Sequence, residues 1–439
     1  MEDLFMKLKE IQTLFKSQNC NRILIKFLSP NDNSKNQIYL GGEEALYLLP
    51  SLERTLQKQL SGKDKAAEFI FHCLLDFYWL DITGHYKVPN AQIIFYPQYP
   101  ESRLSGFLKG CKQAPRELLA TRQENRILFL SSNPEKQSFG FVLQATTALK
   151  NEIQYHTVPF GRGDIFYYLE EDFSPTDPVF EISNAISKIS QRGWIESCKL
   201  SKDKICKPYK ARNGGGYTLE AQLGILPNGD AEPDYKGWEV KQHSVKSKII
   251  TLFTPEPDGG FYFERGVAEF IKKYGYADKN GIQNRLNFGG IYKNGASPHK
   301  ETKLALKLIG FSNGKITDEN GFIGLFNSKN EAVARWTFPK LLEHWSKKHA
   351  RACYVPSEMK EENNTFYYRF LPKISLGIKT TFIKFLACVE AQNIYLDPAG
   401  KIILEEEIKQ EQKARCQFRI HLKNLSKLYE CFEEYSVSS

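Results

Sequence analysis

The stretch from Gly216 to Lys241 places Glu220, then Asp234 directly after Pro233, then Glu239 and Lys241 on either side of Val240. Three carboxylates and one lysine in a segment rich in strand-forming residues can bind a divalent cation and aim a water at a phosphodiester. Hard cations take oxygen ligands, and Mg2+ keeps several of its waters for substrate chemistry. If GWEVKQ is a strand, its side chains alternate between faces. Trp238 and Val240 then share the core face, and Glu239 and Lys241 share the other. Asp234 and Glu239 can meet at one Mg2+, and the Val240 carbonyl can add a further oxygen. Lys241 then lies beside a metal-bound water, which it can orient or acidify. Such a metal polarises the scissile phosphate and offsets charge in the transition state. Glu220, on a helix expected from about Thr218, can complete the acidic shell.

Glu-x-Lys by itself is weak. It recurs at Glu358-Met359-Lys360, in a charged, loop-like run, and at Glu407-Ile408-Lys409, which reads as a solvated helix face. Neither follows a Pro-Asp pair. The plain alternative for Glu239 and Lys241 is a solvated strand face or a cross-strand ion pair. The full spacing is sharper: Glu220 lies 14 residues before Asp234, which lies 5 before Glu239, which lies 2 before Lys241. With its lead-in GGGYTLEAQLGI, the pattern resembles the MvaI/BcnI group of restriction endonucleases, relatives of the MutH nickase with the PD-(D/E)xK nuclease fold. The resemblance runs from about Pro178 to the C-terminus. It implies an α/β nuclease domain with Glu220, Asp234, Glu239 and Lys241 at the metal site. TLFTPEPDGGFYF, YGYADKNG and RLNFGG also look family-like.

That group carries a basic, base-contacting segment near its C-terminus, and KARCQFRI resembles it. Strand alternation puts Arg415, Gln417 and Arg419 on one face, and Arg and Gln are residue types that read base edges. The plain alternative is a solvated edge strand. His243 follows Lys241 by two residues; it can contact DNA, although a strand histidine bonded to a neighbour is the simpler reading.

The amino-terminal half has a different character. Leu4, Leu8, Ile11 and Phe15 fall at helical spacing, and short β-rich runs follow at 22–28, 37–40, 92–97, 126–132 and 139–144, each bounded by turn residues. Residues 22–52 resemble the EcoRII effector domain, a plant-B3-like β pseudobarrel that binds DNA without cutting it. FYPQYPESRLSGFLKGCKQAP, residues 95–115, resembles the second DNA-gripping arm of such domains. By that likeness Lys26, Asn31, Asp32, Lys35, Asn36 and Gln37 form one arm, and Arg103, Ser105, Lys109 and Lys112 the other. Residues 52–90 read as an insertion. Asn-Asp-Asn-Ser is equally what a plain surface turn looks like. The expected organisation is a B3-like domain over 1–171, a turn-rich linker over 172–177 (DFSPTD) and a nuclease domain over 178–439.

Length favours two or three domains. A net charge of +9 permits a polyanionic partner without requiring one. Nine scattered cysteines, odd in number and without a C-x-x-C pair, argue against a disulfide framework or a zinc ribbon. No signal peptide is evident, and no apolar run approaches the ~20 residues that span a bilayer. These features point to a soluble cytoplasmic chain with no membrane partner. Gly214-Gly215-Gly216 lacks the Gly-Lys-Ser/Thr of a P-loop and reads as a hinge. No G-x-S-x-G elbow supports a serine hydrolase.

The resemblances together imply a type II, IIE-like restriction endonuclease. It would use Mg2+ and cut double-stranded DNA, with CC(A/T)GG as the implied site and one site copy per domain. It would act as a monomer alongside a cognate cytosine methyltransferase. Two other readings stay open: a MutH-like nickase, and a non-catalytic DNA-binding protein.

Overall fold

The computed structural model describes residues 7–20, 22–34, 37–59, 68–159, 165–169, 178–226, 235, 238–349, 351–404 and 415–437. The chain divides into two compact units, Met1–Pro175 and Thr176–Ser439. The 172–177 segment, Leu4, Lys35, Asn36 and Asp234 lie outside the described residues.

The first unit is strand-rich. Its larger sheet has seven strands, in the order Thr157–Pro159, Tyr167–Leu169, Ile23–Phe27, Arg126–Ser132, Ser138–Gln144, Phe77–Asp81 and Gly84–Val88. Its smaller sheet has five, in the order Ile38–Gly41, Glu101–Ser105, Gln92–Tyr96, Glu68–Leu75 and Ser51–Gln59. Among the described residues neither sheet closes on itself, and no closed barrel forms. Residues 52–90, read from the sequence as an insertion, supply strands to both sheets. The reading missed them because EFIFHCLL and FYWLD are apolar runs without turn residues to separate them. The opening helix Leu8–Lys16 buries Leu8, Ile11 and Phe15 against Ile25, Ile127, Phe129 and Ile153.

The second unit mixes helix and strand. The twelve-residue strand Arg351–Glu362 organises its main sheet. Glu239–Ser244 pairs with it in parallel, and Thr365–Phe370 and Lys373–Ile378 pair with it antiparallel. The helices Pro178–Ser190 and Gly215–Gln222 cover this sheet. Ile182, Ile186, Ile189 and Leu219 pack with Trp238, Val240, Cys353, Val355, Phe370 and Leu376 in one core.

Ile249–Phe253 does not pair with Glu239–Ser244, its neighbour in sequence, but joins Phe418–His421 in another sheet. Leu422–Leu428 is a 3-10 turn, followed by the strand Cys431–Ser436, which pairs with Lys373–Ile378. The triple glycine is not a hinge. A Cβ on Gly214 would lie 2.2 Å from the Ser197 hydroxyl, and one on Gly215 would lie 2.7 Å from the Gln242 amide oxygen, so these glycines allow close packing of helix on strand.

Ile186→Ala removes a fully buried side chain between helix and sheet. It is expected to lower stability by about 2–5 kcal/mol, the usual cost of such a truncation. Denaturant unfolding would read this, and an unchanged midpoint would mean that the helix does not close this core.

Candidate active site

Trp238 and Tyr235 exchange two backbone hydrogen bonds, 2.8 Å and 3.0 Å, an isolated antiparallel bridge ahead of the strand. The strand then alternates as its sequence requires. Trp238 and Val240 enter the core, and Glu239 and Lys241 occupy the other face. That face is not solvated. Glu239 is 3% exposed, and the Lys241 side chain 14%. The Lys241 Nζ donates to Glu239 Oε1 at 2.8 Å, while Glu239 Oε2 is buried with no hydrogen-bond partner among the described residues. Leaving a carboxylate oxygen buried and unbonded is expensive. The atom therefore marks a place for a cation or a water.

Glu220 lies half-buried on the helix Gly215–Gln222, which packs on the same strand through Gly215 and Gln242. Thr218 pins that helix. Its hydroxyl donates to the Gly214 carbonyl at 2.8 Å and accepts from the Cys198 N–H at 3.2 Å. Gln242 Nε2 donates to Ser357 Oγ at 2.7 Å, locking the strand to its parallel neighbour. The carboxylates of Glu220 and Glu239 are carried by a helix and a strand that pack together. The described residues alone hold no group of three His, Cys, Asp or Glu side chains around one point.

His243 shares the face of Lys241. Its Nδ1 lies 3.3 Å from the Ser244 carbonyl, and burial pushes its pKa below the ordinary 6.5. The unfolded chain therefore takes up this proton first. The stabilising contribution is complete above about pH 6.5 and is lost as pH falls from there toward the lowered folded value.

The C-terminal segment alternates as expected. Cys416, Phe418 and Ile420 are buried, Gln417 and Arg419 are half-buried, and Arg415 is exposed. Arg419 Nη1 pairs with Asp397 at 2.5 Å, and Gln417 bonds the Thr251 hydroxyl and the Asp397 carbonyl, each at 3.2 Å. Asp397 and Thr251 thus hold this face in place. No sequence pattern links them to it.

In the first unit, Gln37 Nε2 donates to Ser105 Oγ at 3.1 Å, so the two expected arms touch. Asn31, Lys109 and Lys112 are exposed. Arg103 is partly covered, pairs with Glu101 at 2.9 Å and lies over the Tyr96 ring. Lys26 and Asp32 do not face solvent. They form a buried ion pair at 3.2 Å, and Asp32 also accepts from the Ser29 and Tyr39 N–H groups. Their charges satisfy each other and fix the turn, so neither is available to a base. The sequence reading missed this because it treated every polar turn residue as outward-facing.

The structure thus places a buried carboxylate–lysine pair at the head of a strand in a helix-covered mixed sheet. The family model for the MvaI/BcnI restriction endonucleases matches residues 183–429, more than half of the chain. The chain belongs to this family, whose members are site-specific deoxyribonucleases, and it is a type II restriction enzyme acting on DNA. Two solved structures are similar to it. One, a restriction endonuclease MvaI–cognate DNA substrate complex, has a TM-score of 0.47 and 20% identity, over 60% of this chain and 99% of that one. The other, restriction endonuclease MvaI in the absence of DNA, has a TM-score of 0.34 and 17% identity, with the same coverage. No curated protein sequence matches the chain. Among the described residues no helix is long and apolar enough to cross a membrane.

Two outcomes follow from the site's electrostatics. Lys241→Met strands the buried Glu239 carboxylate and is expected to cost about 3–5 kcal/mol, whereas the double change Glu239→Leu/Lys241→Met recovers most of that loss. Thermal unfolding of the three proteins checks this, and equal melting temperatures for the single variant and wild type would contradict the buried pair. His243→Gln is expected to flatten the loss of stability as pH drops below about 6.5. Melting curves from pH 7.5 to 5 that superimpose for both proteins would remove His243 from that dependence.

Proposed function

We propose that the chain hydrolyses phosphodiester bonds in double-stranded DNA at a short specific sequence, CC(A/T)GG by family likeness, leaving 5′-phosphate and 3′-hydroxyl ends. The observation that carries the reading is the buried Glu239–Lys241 pair, with one carboxylate oxygen left unbonded among the described residues. Asp234, Glu239 and the Val240 carbonyl would hold Mg2+, with Glu220 completing the acidic shell. When bound, the ion would polarise the scissile phosphate and neutralise developing charge. Lys241, anchored by Glu239 Oε1, would orient the attacking water from the protein side. The packed wall of Trp238 and Val240 behind the strand would keep that geometry rigid.

In this reading Arg415, Gln417 and Arg419 contact bases, with His243 nearby. Residues 1–171 form a B3-like effector domain joined by 172–177 to the nuclease domain 178–439. That domain would grip a second site copy through Asn31, Lys35, Asn36, Gln37, Arg103, Ser105, Lys109 and Lys112. The enzyme would work as a monomer, nicking the two strands in turn, and its host would carry a cognate cytosine methyltransferase. The two-sheet, strand-rich first unit with touching arms is compatible with this.

The test is a plasmid digestion with Mg2+, followed by sequencing of the ends. Asp234→Ala is expected to abolish cutting while specific binding to an oligonucleotide persists. Mg2+ is expected to raise the melting temperature of wild type and not of the variant. Robust cutting by Asp234→Ala would overturn the metal-site assignment.

A further inference from the structure

We infer that the basic hairpin between Cys198 and Arg212 grips the DNA backbone beside the cutting centre. It carries Lys199, Lys202, Lys204, Lys207, Lys210 and Arg212, with Asp203 as its one acid. The strands Cys198–Leu200 and Cys206–Pro208 pair antiparallel, and the register sets Lys199 directly opposite Lys207. Like charges in that position repel and weaken a two-stranded ribbon. Elsewhere in this unit the fold does the reverse: Arg369 stands opposite Glu358 and is ion-paired to it. Lys202, Lys204, Lys207, Lys210 and Arg212 are exposed, and none of them forms an ion pair among the described residues. The fold gains nothing from this charge. A polyanion would.

The hairpin is also built to hold its position. Its inner face, Cys198 and Leu200, packs on Ala221 of the helix that carries Glu220. Thr218 on that helix bonds the Cys198 N–H, and the Tyr209 N–H donates to the Ser197 carbonyl at 2.8 Å. Lys199 Nζ rests 4.7 Å from the centre of the Tyr217 ring on the same helix. Hairpin and Glu220 helix therefore form one rigid piece. Arms of three residues extend about 10 Å at ~3.3 Å per residue, enough to reach backbone phosphates neighbouring the scissile one. A cation every two or three residues suits the repeating charge of a duplex better than a single acidic group. The inference rests on the reading of this chain as an enzyme that cuts duplex DNA.

The test measures binding of a duplex of about 30 base pairs, without metal, by fluorescence anisotropy as KCl rises from about 50 to 200 mM. The combined change Lys202→Gln, Lys204→Gln, Lys207→Gln and Lys210→Gln is expected to reduce the slope of log affinity against log salt by about 2–4, since each lost phosphate contact removes ~0.9. Affinity at the lower salt should fall at least about tenfold. The matching four-arginine variant should keep the wild-type slope, as should Lys315→Gln on a separate exposed hairpin. If wild type binds and cuts while the four-glutamine variant keeps the full slope, the hairpin inference is overturned and the enzyme assignment stands. If wild type neither binds nor cuts any duplex, the assignment itself falls and takes the inference with it.

Discussion

The site depends on keeping one carboxylate in a place that water barely reaches. Glu239 sits on a strand whose opposite face is closed by tryptophan, valine and two helices, and a single lysine two residues on compensates its charge. Burial makes that pair rigid and strengthens its field, because a low local dielectric screens charge poorly. It also leaves one oxygen without a hydrogen bond among the described residues. The helices, the parallel neighbour strand and the close-packed glycines all maintain this arrangement. Each can be read as support for two side chains.

The second unit separates support from contact. Its core residues come from helices and strands that are distant in sequence, while the groups facing outward are held by short, specific bonds: Gln242 to Ser357, Arg419 to Asp397, Gln417 to Thr251. Arginines fixed in this way lose less conformational freedom on meeting a partner than free ones do. The first unit works differently. Its charged turn is stabilised internally by Lys26 and Asp32, which leaves Asn31 and the lysines of the 105–112 loop as the outward groups.

The facing of the side chains around Glu239 was legible in the primary order because strand alternation is local. A period of two puts Trp238 and Val240 on one side and Glu239 and Lys241 on the other, whatever the sheet. The same logic found Gln417 and Arg419. Pairing partners were not legible. Nothing in IITLFT says that it joins residues 418–421 rather than its neighbour in sequence, and nothing in CFEEYS distinguishes a solvated helix from an edge strand. The fate of each charge was equally hidden. Lys26 and Lys35 both read as basic residues of one DNA-gripping arm, yet Lys26 is buried against an aspartate. Only long-range packing decides this.

The parallel pairing of Glu239–Ser244 with Ala352–Ser357 joins segments more than one hundred residues apart. Parallel strands so distant along the chain pair late, because loop closure must be offset before the pairing is stabilised. During synthesis the strand bearing Glu239 and Lys241 leaves the ribosome long before its neighbour exists. The nascent polypeptide therefore lacks the parallel neighbour of the Glu239–Lys241 strand until most of the second unit has been translated.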